Sequence, residues 1–311
     1  MEEGLWVEKY RPNSVDSCIL PTELKSMFTD FVSNGDIPNL ILSGKPGVGK
    51  TTIAKAMLEE MGSTYMMING SDESGIDVLR TKIKNFASTV SLDGGRKFLI
   101  IDEADYLNPQ STQPALRGVI EEFHKNCGFI LTCNYKNRII PALHSRCKPI
   151  EFIIPKKQKP QLAKEFYIRL VGILEKEGIT FEQKAIAEVI NKHFPDWRRI
   201  IQEVQAYSHS GSVDAGILVD LERKSIKELL PLLKNKEISN VRKWIVDNMD
   251  NDPDRLFRNI YDVMFDVVEL NSVPNLVVLL GEYQHKSVLV ADQEINMFAF
   301  LTEVMAQVKF K

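Results

Sequence analysis

The chain has 311 residues, of which 44% are hydrophobic and 26% carry a formal charge. This is an ordinary globular composition, and the length suffices for about two or three domains, each with its own core. The formal net charge of −3 excludes a global positive field that would attract nucleic acid, although a local basic patch remains compatible with it.

The cysteines and the first residues of the chain indicate the cellular compartment. No two cysteines have C-x-x-C spacing, so a zinc site is not expected, and we predict reduced, mostly buried thiols at Cys18, Cys127, Cys133 and Cys147. The opening "MEEGLWVEKY" is acidic and lacks the apolar segment of a signal peptide. The longest apolar run, which begins at Val273, is too short to cross a bilayer. We therefore expect a cytoplasmic protein without a membrane partner.

The first half of the chain alternates short apolar segments with helical ones. A helix is predicted at residues 50–61, and strands are predicted at residues 39–44, 64–70, 97–102, 127–134 and 148–154. Nearly all-apolar strands separated by helices indicate a parallel sheet that is covered on both faces. We therefore predict an α/β layered domain over residues 1–154.

The rest of the chain is predicted to be helical, with no strands after Pro155. Three helices form a small domain at residues 155–216, and the third starts at Pro195 and Asp196 and stops at Gly211. Residues 217–311 form a second helical region, whose first helix is predicted from Arg223. The residues expected to face its core are Leu229, Leu230, Leu232 and Leu233.

The stretch "GKPGVGKT" matches the pattern G-x-x-x-x-G-K-[ST] between a predicted strand and a predicted helix. Its glycines let the backbone wrap around a polyphosphate, and the N-terminus of the following helix adds partial positive charge. Lys50 is expected to reach the β- and γ-phosphates, and Thr51 to offer its hydroxyl to Mg²⁺. The alternative is a glycine-rich turn that binds nothing. The residues expected to surround the nucleotide here are Gly44, Lys45, Pro46, Gly47, Val48, Gly49, Lys50, Thr51 and Thr52.

Polar residues end two of the predicted strands. Asp102 and Glu103 follow the apolar run of "KFLIIDEAD", at the strand end where ligands bind in open α/β sheets. Asp102 is expected to hold Mg²⁺ through water and Glu103 to polarise the attacking water, which makes the site hydrolytic. Asn134 ends another strand and is expected to orient water. The alternatives are two solvated carboxylates and an ordinary turn asparagine.

The letters DEAD at residues 102–105 invite comparison with a family of RNA helicases. Such helicases carry a second α/β motor domain, whereas this chain is predicted to be helical after residue 155. We therefore reject that interpretation.

Six short stretches resemble those of clamp-loader ATPases, AAA+ proteins that load ring-shaped sliding clamps onto primed DNA. Their order and spacing along the chain are also those of the family. The stretches are "LWVEKYRP" (5–12), "GKPGVGKT" (44–51), "IDEAD" (101–105), "TCN" (132–134), "SRC" (145–147) and "FPDWRR" (194–199). The "VEKYRP" opening is highly specific to replication-factor-C-like small subunits and their relatives. "SCILP" (17–21) and residues 69–88 resemble T-even-type phage clamp loaders most closely. The resemblance implies an AAA+ domain, a helical lid and a helical collar that oligomerises.

The resemblance also implies roles for single residues. Lys50 and Thr51 match the Walker A pair, Asp102 and Glu103 match Walker B, and Asn134 matches the first sensor. Arg146 matches an arginine finger, which we expect to complete the active site of a neighbouring subunit; the alternative is a solvated surface charge. Arg198 matches the second sensor, with Arg199 adjacent. The residues implied to line the adenine pocket are Glu8, Lys9, Tyr10, Arg11 and Pro12.

Basic residues are unevenly distributed despite the net charge. Residues 148–200 contain eleven Lys and Arg against seven Asp and Glu. Arg80, Lys82 and Lys84 are candidates for sequence-independent contact with a DNA backbone, with Arg80 and Lys84 on one helix face. The alternative is a solvated helix face. Gln113 and Arg117 lie in a segment that resembles the one joining the ATP site to DNA and clamp, with an ordinary capped helix as the alternative.

The resemblance implies ATP and Mg²⁺ as cofactors. It implies as partners a sliding clamp, primer–template DNA, identical subunits and one different clamp-loader subunit, in the host cytoplasm if the protein belongs to a phage. One rival is another AAA+ machine, a branch-migration helicase or an initiator, for which a winged-helix domain would be expected. The other is a non-hydrolysing structural subunit, against which Lys50 and Glu103 argue.

Overall fold

The computed structural model describes residues 4–71, 76–89, 95–248 and 253–311. It divides into two compact units, one ending at Val213 and the other starting at Asp214. The first contains the predicted α/β region and the small helical region, and the second contains the C-terminal helices.

Within the described part of the first unit, five parallel strands form one sheet in the spatial order β2-β3-β4-β1-β5. The strands are β1 Leu40–Ser43, β2 Tyr65–Asn69, β3 Lys97–Asp102, β4 Cys127–Cys133 and β5 Lys148–Glu151. Every residue of β1 and β4 is buried, as expected for strands covered on both faces. The predicted parallel sheet is therefore confirmed.

Helices cover both faces of this sheet. The short helix α1 Trp6–Lys9 comes first in the chain and is not one of them. The helices that cover the sheet are α2 Thr22–Asn34, α3 Lys50–Glu60, α4 Ile76–Ser88, α5 Thr112–Phe123 and α6 Pro141–His144. Because side chains alternate along a strand, Leu40 and Leu42 enter the core beneath α2 and α3, whereas Ile41 enters the core beneath α4 and α5. Parallel pairing aligns Ser43 with Cys133, so the loop after β1 starts beside the end of β4.

The small helical region consists of α7 Lys159–Glu177, α8 Gln183–His193 and α9 Trp197–Tyr207. Asp196 caps α9 by accepting a hydrogen bond from the backbone N–H of Arg199 at 3.0 Å. The expectation that strands stop at Pro155 is wrong, since β6 Thr180–Phe181 pairs in parallel with β7 Ser212–Val213. Gly178 and Gly211, at φ of 69° and 85°, turn the chain out of the preceding helices and into these extended segments.

The second unit packs helices around one apolar core. They are α10 Gly216–Lys234, α11 Ile238–Asn248, α12 Pro253–Val267, α13 Val273–Ser287 and α14 Gln293–Gln307. Leu229 and Leu233 are fully buried, and Leu230 and Leu232 pack partly against the same core, as predicted. The first helix starts at Gly216 rather than at Arg223, because no helix-breaking residue separates the two positions. None of the helices in the described ranges has the length and apolar character that a bilayer crossing requires.

Candidate nucleotide site

The loop between β1 and α3 passes close to two other parts of the first unit. A Cβ on Gly44 would lie 2.9 Å from the Cβ of Phe152, and a Cβ on Gly47 would lie 1.8 Å from Oδ1 of Asp196. Gly47 also has φ of 72°, and its carbonyl accepts a hydrogen bond from the backbone N–H of Trp197 at 3.2 Å. Both positions require glycine. Gly44 lets the loop approach the segment after β5, and Gly47 lets it approach the first turn of α9.

Lys50 is the first residue of α3. Its ammonium group is surrounded by hydrogen-bond acceptors from the loop and from the residue that follows β4. Its Nζ donates to the carbonyl oxygens of Gly44 and Lys45, both at 2.8 Å, and to Oδ1 of Asn134 at 2.9 Å. Burial lowers the pKa of Lys50, against the opposing charges of nearby acidic groups. The structure thus brings together the predicted phosphate lysine and the polar residue after β4.

The predicted Mg²⁺ ligands are in direct contact. Thr51 Oγ1 donates to Oδ1 of Asp102 at 2.6 Å, and Thr132 donates to the same carboxylate oxygen. Among the described residues, no cluster of three or more His, Cys, Asp and Glu could hold a metal by itself. One carboxylate and one hydroxyl fit a Mg²⁺ ion that keeps waters and takes its other ligands from phosphates.

Glu103 follows β3 in a left-handed backbone conformation, with φ of 54° and ψ of 42°. Such a conformation costs a non-glycine residue about 1–3 kcal/mol and occurs often at functional sites. The backbone N–H of Glu103 donates to Thr132 Oγ1 at 3.1 Å. A Cβ on Gly70 would lie 2.6 Å from the Glu103 carbonyl oxygen, so Gly70 makes room for this turn. Sequence reasoning missed Thr132, whose signal is a polar side chain near the end of an otherwise apolar strand.

A cleft that is open to solvent lies beside the loop. The N-terminal segment, the loop with α3, and the helices α7 and α9 form its walls. The lining residues are Val7, Tyr10, Arg11, Pro12, Cys18, Ile19, Leu20, Gly47, Gly49, Lys50, Thr51, Thr52, Phe166, Arg169, Trp197, Arg198 and Ile201.

The five residues implied for the adenine pocket divide into two groups. Tyr10, Arg11 and Pro12 line the cleft, whereas Glu8 pairs with Arg11 and Lys9 Nζ lies 2.7 Å from a carboxylate oxygen of Glu177. The Tyr10 hydroxyl donates to the same carboxylate, which ends α7. These contacts hold the N-terminal segment against a helix from the small helical region.

The wall formed by α7 and α9 was largely missed by sequence reasoning. The rings of Phe166 and Trp197 stack with centroids 4.4 Å apart, and Arg169 donates to the Ser17 carbonyl. Burial lowers the pKa of Arg169. Arg198 lines the same cleft. These residues are spread over helices that looked merely amphipathic in sequence, so only the packed fold shows that they share a wall.

Arg146 lies between α6 and β5 and does not line the cleft of its own chain. Its Nε donates to Oε1 of Glu121 at 2.6 Å, and its Nη1 donates to the Ala142 carbonyl at 2.8 Å and to Ser145 Oγ at 2.9 Å. The side chain of Arg146 is 30% exposed, and its hydrogen bond to Glu121, together with its charge, lowers the pKa of that carboxyl. The guanidinium is therefore held at the surface.

The predicted coupling and DNA-contact residues lie on α4 and α5. Gln113 is fully buried, and its Nε2 donates to the carbonyls of Leu107 and Arg138, both at 3.0 Å, while its Oε1 accepts from the Ile140 N–H at 2.8 Å. It thus joins the segments that follow β3 and β4.

The basic candidates of α4 and α5 are on the surface where their side chains are described. Lys84 Nζ pairs with Glu122 at 3.1 Å, and Lys82 and Arg117 are exposed. Arg80 lies within α4, but its side chain falls outside the described residues. Part of residues 69–88, namely 72–75, also falls outside them.

The parallel sheet and the glycine-rich loop after β1 define a P-loop ATPase of the AAA class, and residues 40–154 match the family model "ATPase family associated with various cellular activities (AAA)". Residues 158–219 match "Sliding-clamp-loader large subunit, AAA+ ATPase lid domain". The chain belongs to the clamp-loader family of AAA+ ATPases.

Relatives over the full length support this membership. The chain is 34% identical to the sliding-clamp-loader large subunits of Enterobacteria phage T4 and Escherichia phage RB69, covering 100% of this chain and 98% of each relative. It is 31% identical to the replication factor C small subunit of Thermofilum pendens, covering 98% of this chain and 97% of that one. The RuvB Holliday junction branch migration motor of Thermotoga maritima shares the fold alone, with a TM-score of 0.54, 19% identity, and coverage of 71% and 79%.

Proposed function

We propose that this chain is the ATP-hydrolysing subunit of a DNA polymerase sliding-clamp loader. ATP binding drives clamp opening and primer–template DNA binding, and hydrolysis releases the closed clamp on DNA. The observation that carries the proposal is the meeting of Lys50, Thr51, Asp102 and Asn134 at one sheet edge, in a chain of the clamp-loader family.

Nucleotide binding uses the loop and the cleft together. The triphosphate lies along residues 44–52, and the adenine enters the cleft beside Tyr10, Arg11 and Pro12. Thr51 and Asp102 hold Mg²⁺, which neutralises charge on the phosphates. Arg198 reaches the same phosphates from α9. Its place in the cleft wall supports this role over that of Arg199, which does not line the cleft.

Hydrolysis uses the residues that follow β3 and β4. Glu103 polarises the attacking water and Asn134 orients it. The hydroxyl of Thr132 supports this geometry, because it contacts both the Asp102 carboxylate and the Glu103 amide. Lys50 supplies positive charge to the β- and γ-phosphates as negative charge develops.

Arg146 acts on a neighbouring subunit. It lies at the surface, away from the cleft lining of its own chain, so a second copy is the natural recipient of its charge. A positioned guanidinium at the transferring phosphoryl group is worth about 10³–10⁵ in rate. Hydrolysis therefore depends on assembly.

The partners follow from the same proposal. The chain assembles with identical subunits and one different clamp-loader subunit, and it acts on a sliding clamp and primer–template DNA in the cytoplasm of a phage host. Arg80, Lys82 and Lys84 contact the DNA backbone, a salt-sensitive and sequence-independent interaction. Gln113 and Arg117 link the ATP site to DNA and clamp.

The test compares ATP turnover with and without primed DNA plus clamp for the wild type and for Arg146→Ala. Arg146→Ala should bind ATP normally but lose about 10³-fold or more of the stimulated rate, since it removes a charge needed only during the reaction. Arg242→Ala, which removes an exposed arginine of the second unit, serves as the matched control. Full-speed hydrolysis by isolated monomers, or by Arg146→Ala, would refute the proposal.

A further inference from the structure

Asp105 is the last residue of the DEAD stretch and has no part in the mechanism above. Asp105 is only 6% exposed. It is the only buried carboxylate in the described part of the first unit. A buried carboxylate is costly unless its oxygens are hydrogen-bonded. The partners of Asp105 therefore indicate what the residue is for.

One oxygen of Asp105 holds the chain where β4 ends. Its Oδ2 accepts hydrogen bonds from the backbone N–H groups of Asn134, at 3.2 Å, and Tyr135, at 3.1 Å. Asn134 is the residue whose side-chain Oδ1 accepts from Lys50 Nζ. Asp105 thus fixes the backbone from which the Asn134 side chain projects.

Asp105 itself lies in the turn after β3, so its carboxylate connects that turn to the end of β4. Asp105 belongs to the short 3-10 helix Ala104–Tyr106, which starts directly after Glu103. The carboxylate therefore ties the segment that carries Glu103 to the segment that carries Asn134. These are the two groups assigned to the attacking water.

We propose that Asp105 is a positioning residue that acts through Asn134, keeping that side chain at a fixed separation from Glu103. The inference rests on the proposed role of Asn134 in hydrolysis. The second oxygen, Oδ1, is buried and has no hydrogen-bond partner among the described residues. Only the Oδ2 acceptor is thus engaged, and an amide oxygen can take its place.

An electrostatic role is the competing explanation. The negative charge of Asp105 also counteracts the effect of burial on the pKa of Lys50. The substitution Asp105→Asn separates the two explanations. Its amide oxygen can still accept from both N–H groups, its amide nitrogen takes the position of Oδ1, and its charge is gone.

The experiment measures ATP turnover by the full chain, assembled with the clamp and partner subunit of its own replication system on primed DNA. Asp105→Ala should lower kcat about tenfold or more while the KM for ATP changes less than about threefold, because a misplaced Asn134 affects the reaction more than binding. Asp105→Asn should stay within about twofold of wild type. The double variant Asp105→Ala/Asn134→Ala should be no slower than Asn134→Ala, because residues that act as one unit are not additive.

Three results would overturn the inference. The first is an unchanged kcat in Asp105→Ala. The second is a loss of kcat in Asp105→Asn that equals the loss in Asp105→Ala. The third is a kcat of the double variant that falls by the product of the two single-variant losses. A wild-type rate in Asn134→Ala would instead remove the sensor role from the proposed function, and this inference with it. If Asp105→Ala does not fold, hydrogen exchange decides: the Asn134 and Tyr135 amides should exchange slowly in Asp105→Asn, and fast exchange there would refute the inference.

Discussion

The ammonium group of Lys50 donates all three of its N–H groups to acceptors of the protein. Two acceptors are carbonyls of the loop, and the third is the side chain of Asn134. A phosphate that takes up the ammonium must compete with these acceptors. We therefore expect nucleotide binding to displace at least one of these three acceptors, and loss of the Asn134 contact would free its Oδ1 for water.

The buried thiols predict how stability depends on pH. Burial raises the pKa of Cys18, Cys133 and Cys147 to about 12 and that of Cys127 to about 11, above the ordinary thiol value of 9.0. Above about pH 9 the unfolded chain releases thiol protons that the folded chain retains, so the free energy of unfolding should fall as the pH rises toward about 12. Urea unfolding at about pH 8 and 10 measures this, and Cys147→Ala should lose less stability over that interval. An equal loss in both proteins would contradict the assignment to thiols.

Helix α5 connects several functional elements of the first unit. Near its start, Gln113 binds the segments after β3 and β4, and in its last turn Glu121 and Glu122 hold Arg146 and Lys84. Acidic residues in the last turn of a helix oppose its dipole, so these two carboxylates gain from cationic partners. The helix thus contacts the expected arginine finger, a DNA-contact candidate and the segments that follow the proposed catalytic residues.

Gln113→Ala tests this connection. It leaves a cavity and strands the Ile140 N–H with the carbonyls of Leu107 and Arg138, so it should destabilise the first unit by about 2–4 kcal/mol. It should also reduce DNA-stimulated ATP turnover more than basal turnover. Gln110→Ala, at an exposed position on the approach to the same helix, is the control and should change neither. Stimulation that stays intact in folded Gln113→Ala would show that the connection is only structural.

Elements with continuous signals were predictable from the sequence. The five strands and the phosphate loop each occupy one short stretch, so apolar runs and glycine spacing indicate them directly. The cleft is lined by four segments that are distant in sequence, and Phe166, Arg169 and Trp197 look like ordinary residues of amphipathic helices. The pairing of β6 with β7 was also missed, since two residues are too few to produce an alternating pattern.

At the scale of the whole molecule, the cleft proposed to bind the nucleotide and the side chain of Arg146 lie at different places on the chain. Membership in the clamp-loader family explains this separation if hydrolysis takes place between subunits. The position of Arg146 in the chain, after the strands that carry Asp102 and Asn134, led us to expect that it faces outward from its own site. Its role at a neighbouring subunit stays a prediction. The alternative, a purely structural ion pair with Glu121, remains distinguishable by mixing subunits.

Mixing two inactive variants tests the shared site most directly. Glu103→Gln retains Arg146 but cannot polarise water. Arg146→Ala retains Glu103 but cannot supply an arginine to the site of its neighbour. Each variant alone should be inactive on primed DNA and clamp. Their mixture should recover a substantial fraction of wild-type ATP turnover, because some neighbours combine an intact Glu103 with an intact Arg146. A mixture as inactive as its components, with assembly shown to be normal, would contradict hydrolysis at a shared site.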